Sequence, residues 1–435
     1  LFPGRYLALN ALVTTFTLLA HIVCFVLLRK RVDSVRAAIP VLLSLGSTVM
    51  FHNSTLLLSD IFYLFLSMVA LVVAEHISGR DSGWGGHLLL AIIVLMACMT
   101  RIAGVTLVAA VVFHRLISPR RKEGRLRLLV LMSVAALVVA LWEVRSLRLG
   151  TSYLKLALQN EPYVDEAGYA SPLRLLRRFY HHLDEYWAIG GILTNGMLSG
   201  LGVGRGLIGL PARGTLLALF CFGLAHSIRR GMTVTDVYCA IYLLAAGAWV
   251  TGLIVRYAVP VVPLLFHYAL VGGHAIVEQA RRRLGPLASR VAYVGLLVYV
   301  ACFLRAGVAG MRWAIPREHT SPFGAYPIKY TWNYDTQRLA MWLRDHSGPG
   351  DRYVCQHPNV TQYFSEREGY SFPFSTDAGQ LLDLLEGHRV RYVLADKKKA
   401  EVQQFLLPAI KAHPDQFSLI REEENASLYE FELRP

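Results

Sequence analysis

The chain has 435 residues, 54% hydrophobic and only 17% charged, a balance too apolar for an ordinary water-soluble protein and one that implies an integral membrane protein. A formal charge of +14 would fit nucleic acid in a soluble chain, but here Lys and Arg gather in short clusters between apolar runs, as in cytoplasmic loops beside anionic lipid. Membrane lipid rather than nucleic acid is the expected partner, and six cysteines, all but Cys355 inside apolar segments, give neither a disulfide framework nor metal-ligand spacing.

In chain order, ten apolar runs are long enough to cross, or nearly cross, a bilayer core of about 30 Å. They lie near 6–28, 37–51, 57–77, 86–99, 102–117, 127–145, 214–228, 234–254, 257–276 and 288–308. Basic clusters follow at Arg29-Lys30-Arg31, at Arg115 with Arg120-Arg121-Lys122, at Arg229-Arg230 and at Arg281-Arg282-Arg283. Ten spans with both termini outside put every cluster on the cytoplasmic side. That count needs a break at Thr100-Arg101-Ile102-Ala103-Gly104, because one bent helix over 87–117 would set the Arg120 cluster against the Arg29 cluster. It also puts Leu1 outside, so a further N-terminal helix with its external loop is expected upstream.

Between the second and third runs lies a short polar connection, Phe51 to Asp60, carrying His52, Asn53, Ser54, Thr55, Ser59 and Asp60. Polar groups at membrane depth are costly unless they face protein or a wet cavity, which points to a membrane active-site loop with His52, Asn53 and Ser59 as substrate contacts. Ser59 as a helix cap and Asp60 in the first turn, where the helix dipole favours an anion, is a compatible structural reading. His52 suits orienting a substrate hydroxyl, binding a metal, or simply hydrogen bonding at the interface.

Three further polar sites fall on the same external side: Arg101 in the break, Trp142-Glu143-Val144-Arg145 at the end of the sixth run, and Arg256-Tyr257 before Pro260 and Pro263. A guanidinium near the surface suits a phosphate, because its planar fork donates paired, charge-assisted hydrogen bonds. Snorkelling to the headgroups is the competing account, and it applies best to Arg145 at a helix end.

Residues 146–213 read as a long external segment. Ser171–Tyr180 is amphipathic with Arg174, Arg177 and Arg178 on a basic face, so it is expected to lie in the membrane interface, and 190–214 reads as glycine-rich loop. Gly202–Gly206 follows no strand, as a nucleotide-binding fingerprint would require, and Glu161, Asp165 and Glu166 read as solvated surface. Lys329, between Tyr326 and Tyr330, is placed to meet a phosphate or sugar, or to anchor at the interface.

The fold expected is an all-α polytopic membrane domain over 1–310 with about ten transmembrane helices, and a small soluble α/β extracytoplasmic domain over 311–435. In the latter, helices are predicted at Tyr334–His346, Ala378–Glu386 and Ala400–Ala412, strands at Arg352–Gln356 and Val390–Ala395, and a closing hairpin from Phe417–Ile420 and Ser427–Leu433. That domain shows neither a P-loop nor a readable catalytic triad.

Taken together, Ser59-Asp60 opening a span, Thr100-Arg101-x-x-Gly104 in a broken pair, Leu141-Trp142-x-x-Arg145 closing a span and Arg256-Tyr257-x-x-Pro260-x-x-Pro263 resemble the polytopic GT-C glycosyltransferases. The nearest branch looks like that of bacterial protein mannosyltransferases and the aminoarabinose transferases of lipid A. The resemblance covers roughly 1–310 and implies transfer of a hexose or pentose, mannosyltransferase-like, from a polyprenyl-phosphate sugar donor. The acceptor would be a lipid, glycan or protein on the external face of a bacterial inner membrane, reached by inverting displacement. It implies Arg101 and Arg256 as the donor-phosphate clamp with Tyr257 as hydrogen-bond donor. Asp60 would be an auxiliary group, positioning a sugar or helping hold a divalent cation if one is used. The family's principal acidic residue follows its first membrane helix, so the general base is expected upstream of Leu1. A glycan polymerase or ligase using the same carrier, a transporter or flippase of an amphiphilic substrate, and a non-catalytic scaffold are the competing readings. The chain shows no convincing inverted repeat of the kind a transporter carries.

Overall fold

The computed structural model describes residues 6–54, 59–79, 83–117, 123–148, 155, 158–160, 168–181, 187–194, 209–248, 255–314 and 334–432. The chain divides into a helical unit ending at Ala314 and a C-terminal unit.

The helical unit opens with α1 (Tyr6–Arg29), α2 (Ser34–Leu45), α3 (Thr48–Ser54) and α4 (Ser59–Gly79). It continues with α5 (Trp84–Thr100), α6 (Val105–Ile117), α7 (Glu123–Arg148), α8 (Pro172–His181) and α9 (Trp187–Thr194). The last members are α10 (Gly209–Gly231), α11 (Val234–Gly247), α12 (Val255–Ala258), α13 (Val262–Leu284) and α14 (Pro286–Ala314). All ten apolar runs are helical over most of their length. Among the described residues, six helices are long and apolar enough to cross a membrane: Ala11–Arg29, Ser59–Ser78, Leu126–Arg148, Pro211–Gly231, Arg256–Arg283 and Arg290–Val308. Four others, Ser34–Leu45, Trp84–Thr100, Ile102–Ile117 and Val234–Gly247, are apolar but shorter than 18 residues, so length alone supports six spans rather than ten. The unit runs four residues past the expected boundary at 310, because α14 continues to Ala314.

Two expectations change. The connection after Phe51 is helical as far as Ser54, and both described ends of the expected loop 190–214 are helical: 190–194 belong to α9, with Ile189, Ile192 and Leu193 buried, and 209–214 open α10. Gly190 explains the second change: a Cβ there would lie 2.7 Å from the Arg213 carbonyl oxygen, so the missing side chain lets α9 press against α10. A closer approach joins α10 to α13. A Cβ on Gly223 would stand 1.8 Å from the Tyr268 carbonyl oxygen, and one on Gly272 would stand 2.1 Å from that of Leu219. Small residues at a helix crossing supply the packing that drives association where lipid removes the hydrophobic incentive.

In the C-terminal unit, α15 (Tyr334–His346), β1 (Arg352–Cys355), α16 (Pro358–Ser365), β2 (Glu368–Ser371), α17 (Ala378–Gly387), β3 (Tyr392–Asp396), α18 (Leu407–Ala412), β4 (Phe417–Glu422) and β5 (Ala426–Phe431) follow in order. The sheet order is β2-β1-β3-β5-β4, with β1 parallel to β2 and β3, and β5 antiparallel to β3 and β4. One face buries Leu339, Leu343 and Tyr353, and the other buries Leu381, Leu385 and Phe405, so helices cover both faces. The predicted α/β layer is present, with α16 and β2 added to the expected elements.

Candidate active site

Asp60 lies in the first turn of α4, fully buried, and both of its carboxylate oxygens are taken by arginines. Oδ1 accepts from Nη1 of Arg101, and Oδ2 accepts from Nε of Arg256 at 2.9 Å. Three chain segments far apart in sequence therefore meet at one carboxylate. Ser59, exposed, is the first described residue of α4.

Local sequence explains how each arginine gets there. After α5 the backbone of Arg101 is extended (φ −151°, ψ 139°), and a single 3₁₀ turn over Ile102–Gly104 leads into α6. The predicted break is real, and Gly104 permits it: a Cβ there would sit 2.5 Å from the backbone N and Cα of Cys98. Arg256 belongs to α12, one turn long, followed by a 3₁₀ turn at Val259–Val261 containing Pro260, then α13 with Pro263 in its first turn. Proline lacks the N–H a continuous helix needs, so the two prolines separate the arginine's turn from the long helix behind it.

An aromatic floor supports this cluster. The Arg101 guanidinium lies over the ring of Tyr257, 5.5 Å from its centroid, a cation–π arrangement. Tyr242 donates its hydroxyl to the Tyr257 carbonyl at 2.7 Å, and Tyr63, one turn along α4 from Asp60, donates to the Ala103 carbonyl at 3.0 Å. The Arg101 turn and the Arg256 turn are thus each tied to a buried tyrosine.

The other predicted site residues are placed differently. Asn53 is buried and donates to the Val49 carbonyl at 2.8 Å, one turn back in its own helix. His52 also lies in α3, but its side chain is outside the described residues, as is Lys329 altogether. Arg145 is exposed on α7, where its guanidinium lies over the Trp142 ring, 5.2 Å from its centroid. Of the predicted set, the structure brings together Asp60, Arg101, Arg256 and Tyr257.

A second buried charge cluster was not foreseen. At the far end of α4, Glu75 accepts from Arg31, whose Nη1 also lies 3.4 Å from Asp236. Asp236 accepts from Ser227 at 2.8 Å and Tyr268 at 2.6 Å, and Thr235 donates to Glu75 at 2.6 Å. Asp236 also closes a capping box with Thr233 at the start of α11. The signal available in sequence was the spacing within α4, where Asp60 and Glu75 occupy opposite ends of one apolar run.

No protein-family profile and no curated protein matches this sequence. Solved structures do match. The oligosaccharyltransferase of Archaeoglobus fulgidus, in complex with Zn and sulfate, shares 16% identity at a TM-score of 0.52, over 97% of this chain and 61% of that one. The same organism's oligosaccharyltransferase AglB, with an inhibitory peptide and a dolichol-phosphate, gives 14% and 0.51 over 90% and 58%. ArnT from Cupriavidus metallidurans, bound to undecaprenyl phosphate, gives 13% and 0.54 over 97% and 83%. This chain therefore has the fold of the GT-C class of membrane glycosyltransferases, while spanning about three-fifths of the length of the archaeal enzymes.

Proposed function

We propose that this protein transfers a sugar, hexose or pentose, from a polyprenyl-phosphate-linked donor to a lipid, glycan or protein acceptor on the extracytoplasmic face of a membrane. The observation that carries the reading is the Asp60–Arg101–Arg256 cluster: two guanidiniums against one buried carboxylate leave one positive charge at the end of the helices opposite the basic clusters. Two of the similar structures hold a polyprenyl-type lipid phosphate, undecaprenyl phosphate in one and dolichol-phosphate in the other, and that chemistry matches an arginine site at helix breaks.

The reaction is a displacement. An acceptor hydroxyl attacks the anomeric carbon from the face opposite the phosphate, the carbon–oxygen bond to phosphate breaks with inversion, and a base takes the hydroxyl proton. Fixed positive charge is worth most where negative charge grows, on the departing phosphate oxygen. Asp60, fully buried with each oxygen accepting from a guanidinium, serves as the counter-charge that holds the two arginines, and the acceptor's proton is assigned to a base other than Asp60.

A transporter or flippase is the second reading, and one experiment separates the two. In vesicles reconstituted with the protein and a panel of polyprenyl-phosphate sugars, sugar transfer with release of the lipid phosphate is expected, and Arg256→Ala abolishes it while the protein stays folded. Near-normal transfer by that variant removes the phosphate role of Arg256. Carrier movement between leaflets without turnover of any donor would establish the flippase instead.

A further inference from the structure

The two arginines on Asp60 are not equivalent, and this asymmetry, which rests on the phosphate-binding reading above, assigns them different work. The side chain of Arg256 is 43% exposed, that of Arg101 14% and that of Asp60 not at all. Arg256 spends its Nε on Asp60, which leaves the two terminal Nη groups, the paired donors best suited to a phosphate, without a partner among the described residues. Arg101 is enclosed instead: Asp60 holds its Nη1, and the ring of Tyr257 lies under its face.

We infer that Arg256 alone of the pair meets the lipid phosphate, and that Asp60 and Arg101 are positioning residues that hold its guanidinium in place. The connection runs through two paths that close on each other. Arg101 fixes Asp60, whose other oxygen fixes Arg256; Arg101 also packs on the ring of Tyr257, the residue next to Arg256, and Tyr242 holds the Tyr257 carbonyl. A carboxylate would ordinarily weaken an anion site. Here its burial between two cations makes it a mount for one of them rather than a competitor for the ligand.

This gives Asp60 a test of sign. The probes are undecaprenyl phosphate and the uncharged alcohol undecaprenol, and the readout is the ratio of their affinities for the full chain in detergent, with thermal unfolding followed in parallel. If Asp60 merely opposed an anion, Asp60→Asn would raise the preference for the phosphate. The positioning role predicts a fall of about fivefold or more, because the two guanidiniums, no longer sharing a counter-charge, separate.

The second test is a cycle with Arg256→Gln, which is expected to lower the preference about tenfold, the size of one charge-assisted hydrogen-bond pair. In that background Arg101→Gln and the double change Asp60→Asn with Arg101→Gln alter it by less than about twofold, since they act only through Arg256. The double change leaves no unpaired buried charge, so it keeps the test usable where a single substitution impairs folding. A rise with Asp60→Asn, or an undiminished loss from Arg101→Gln in the Arg256→Gln background, overturns the inference. A wild-type protein with no preference for the phosphate over the alcohol instead overturns the phosphate-binding reading beneath it.

Discussion

Tyr257 carries two possible contributions that substitution can separate. Its sequence position suggests a hydroxyl donor to phosphate, whereas the structure gives its ring a defined contact, the face beneath Arg101. Phenylalanine keeps the face and loses the hydroxyl, so Tyr257→Phe is expected to stay within about threefold of wild-type transfer. Tyr257→Leu loses about 0.5–2 kcal/mol of cation–π attraction, a fall in kcat/KM of about two- to thirtyfold. Steady-state kinetics in vesicles measures both, and equal losses would return the role to the hydroxyl. The residues of this cluster were legible because charge and breaks in long apolar runs contrast with their surroundings. Arg31, Glu75 and Asp236 were not, because each stands near the end of a run, where charge is normal and reads as a topology marker. A residue of the C-terminal unit adds a pH test. Burial raises the carboxyl of Asp396 at the end of β3, against a backbone N–H from Lys398 and nearby lysines that pull it down. A group whose folded pKa is raised contributes stability that is full below its unfolded pKa, about 3.9, and lost as pH rises through the folded value. Asp396→Asn keeps the oxygen that accepts from Lys398 and removes the buried charge, so the thermal transition of the C-terminal unit should rise at pH 7 and be unchanged near pH 3. An equal shift at both pH values would show that charge is not the cause.

At the scale of elements, glycine decides where helices break and how closely they pass. The turn that delivers Arg101 exists because Gly104 lets the chain lie against Cys98, and Gly223 and Gly272 let α10 and α13 touch backbone to backbone. Replacing Gly223 by Val puts carbon where the Tyr268 carbonyl oxygen stands, so the helices must separate and their packing is lost; about 3 kcal/mol or more of stability is expected to go, by the scale of overpacking. Purified Gly223→Val should show a clearly lowered unfolding temperature, whereas Gly273→Val, at a position with nothing within 4 Å, should not. Similar transitions in the two variants would remove the close-packing argument. The sequence marks helical runs well because apolar composition is enough to do so, but it marks their lengths poorly. Residues 190–214 read as loop because glycine is usually a breaker; at Gly190 it serves packing instead. In the C-terminal unit, α16 and β2 escaped notice because each is short, and Gly369 within Glu368–Ser371 breaks the alternation that identifies a strand.

Across the whole helical unit, the two buried charge clusters sit at opposite ends of α4, about 22 Å apart at about 1.5 Å per residue. They differ in kind. The Asp60 cluster has an exposed arginine and a net positive charge; the Arg31 cluster joins the end of α1, α4, α10, α11 and α13, sets two carboxylates against one arginine, and has hydroxyl donors from Ser227, Thr235 and Tyr268 on its acids. An enzyme working from one face needs the opposite end shut and needs nothing from it during turnover. A protein with alternating access must open both ends, so each would have to rearrange once per cycle. Glu75→Gln tells these apart, because it leaves Arg31 one carboxylate and weakens the closure without touching the Asp60 cluster. The expected outcome for an enzyme is a stability loss of about 1.5–3 kcal/mol, the order of a hydrogen bond to a charged group such as Glu75 accepts from Arg31 and Thr235, with kcat for sugar transfer unchanged at a temperature where both proteins are folded. If the Arg31 cluster were instead a gate, loosening it would change the rate at which polyprenyl phosphate crosses between leaflets, and that rate, followed by the accessibility of labelled carrier in vesicles, would move with the mutation while sugar transfer stayed absent.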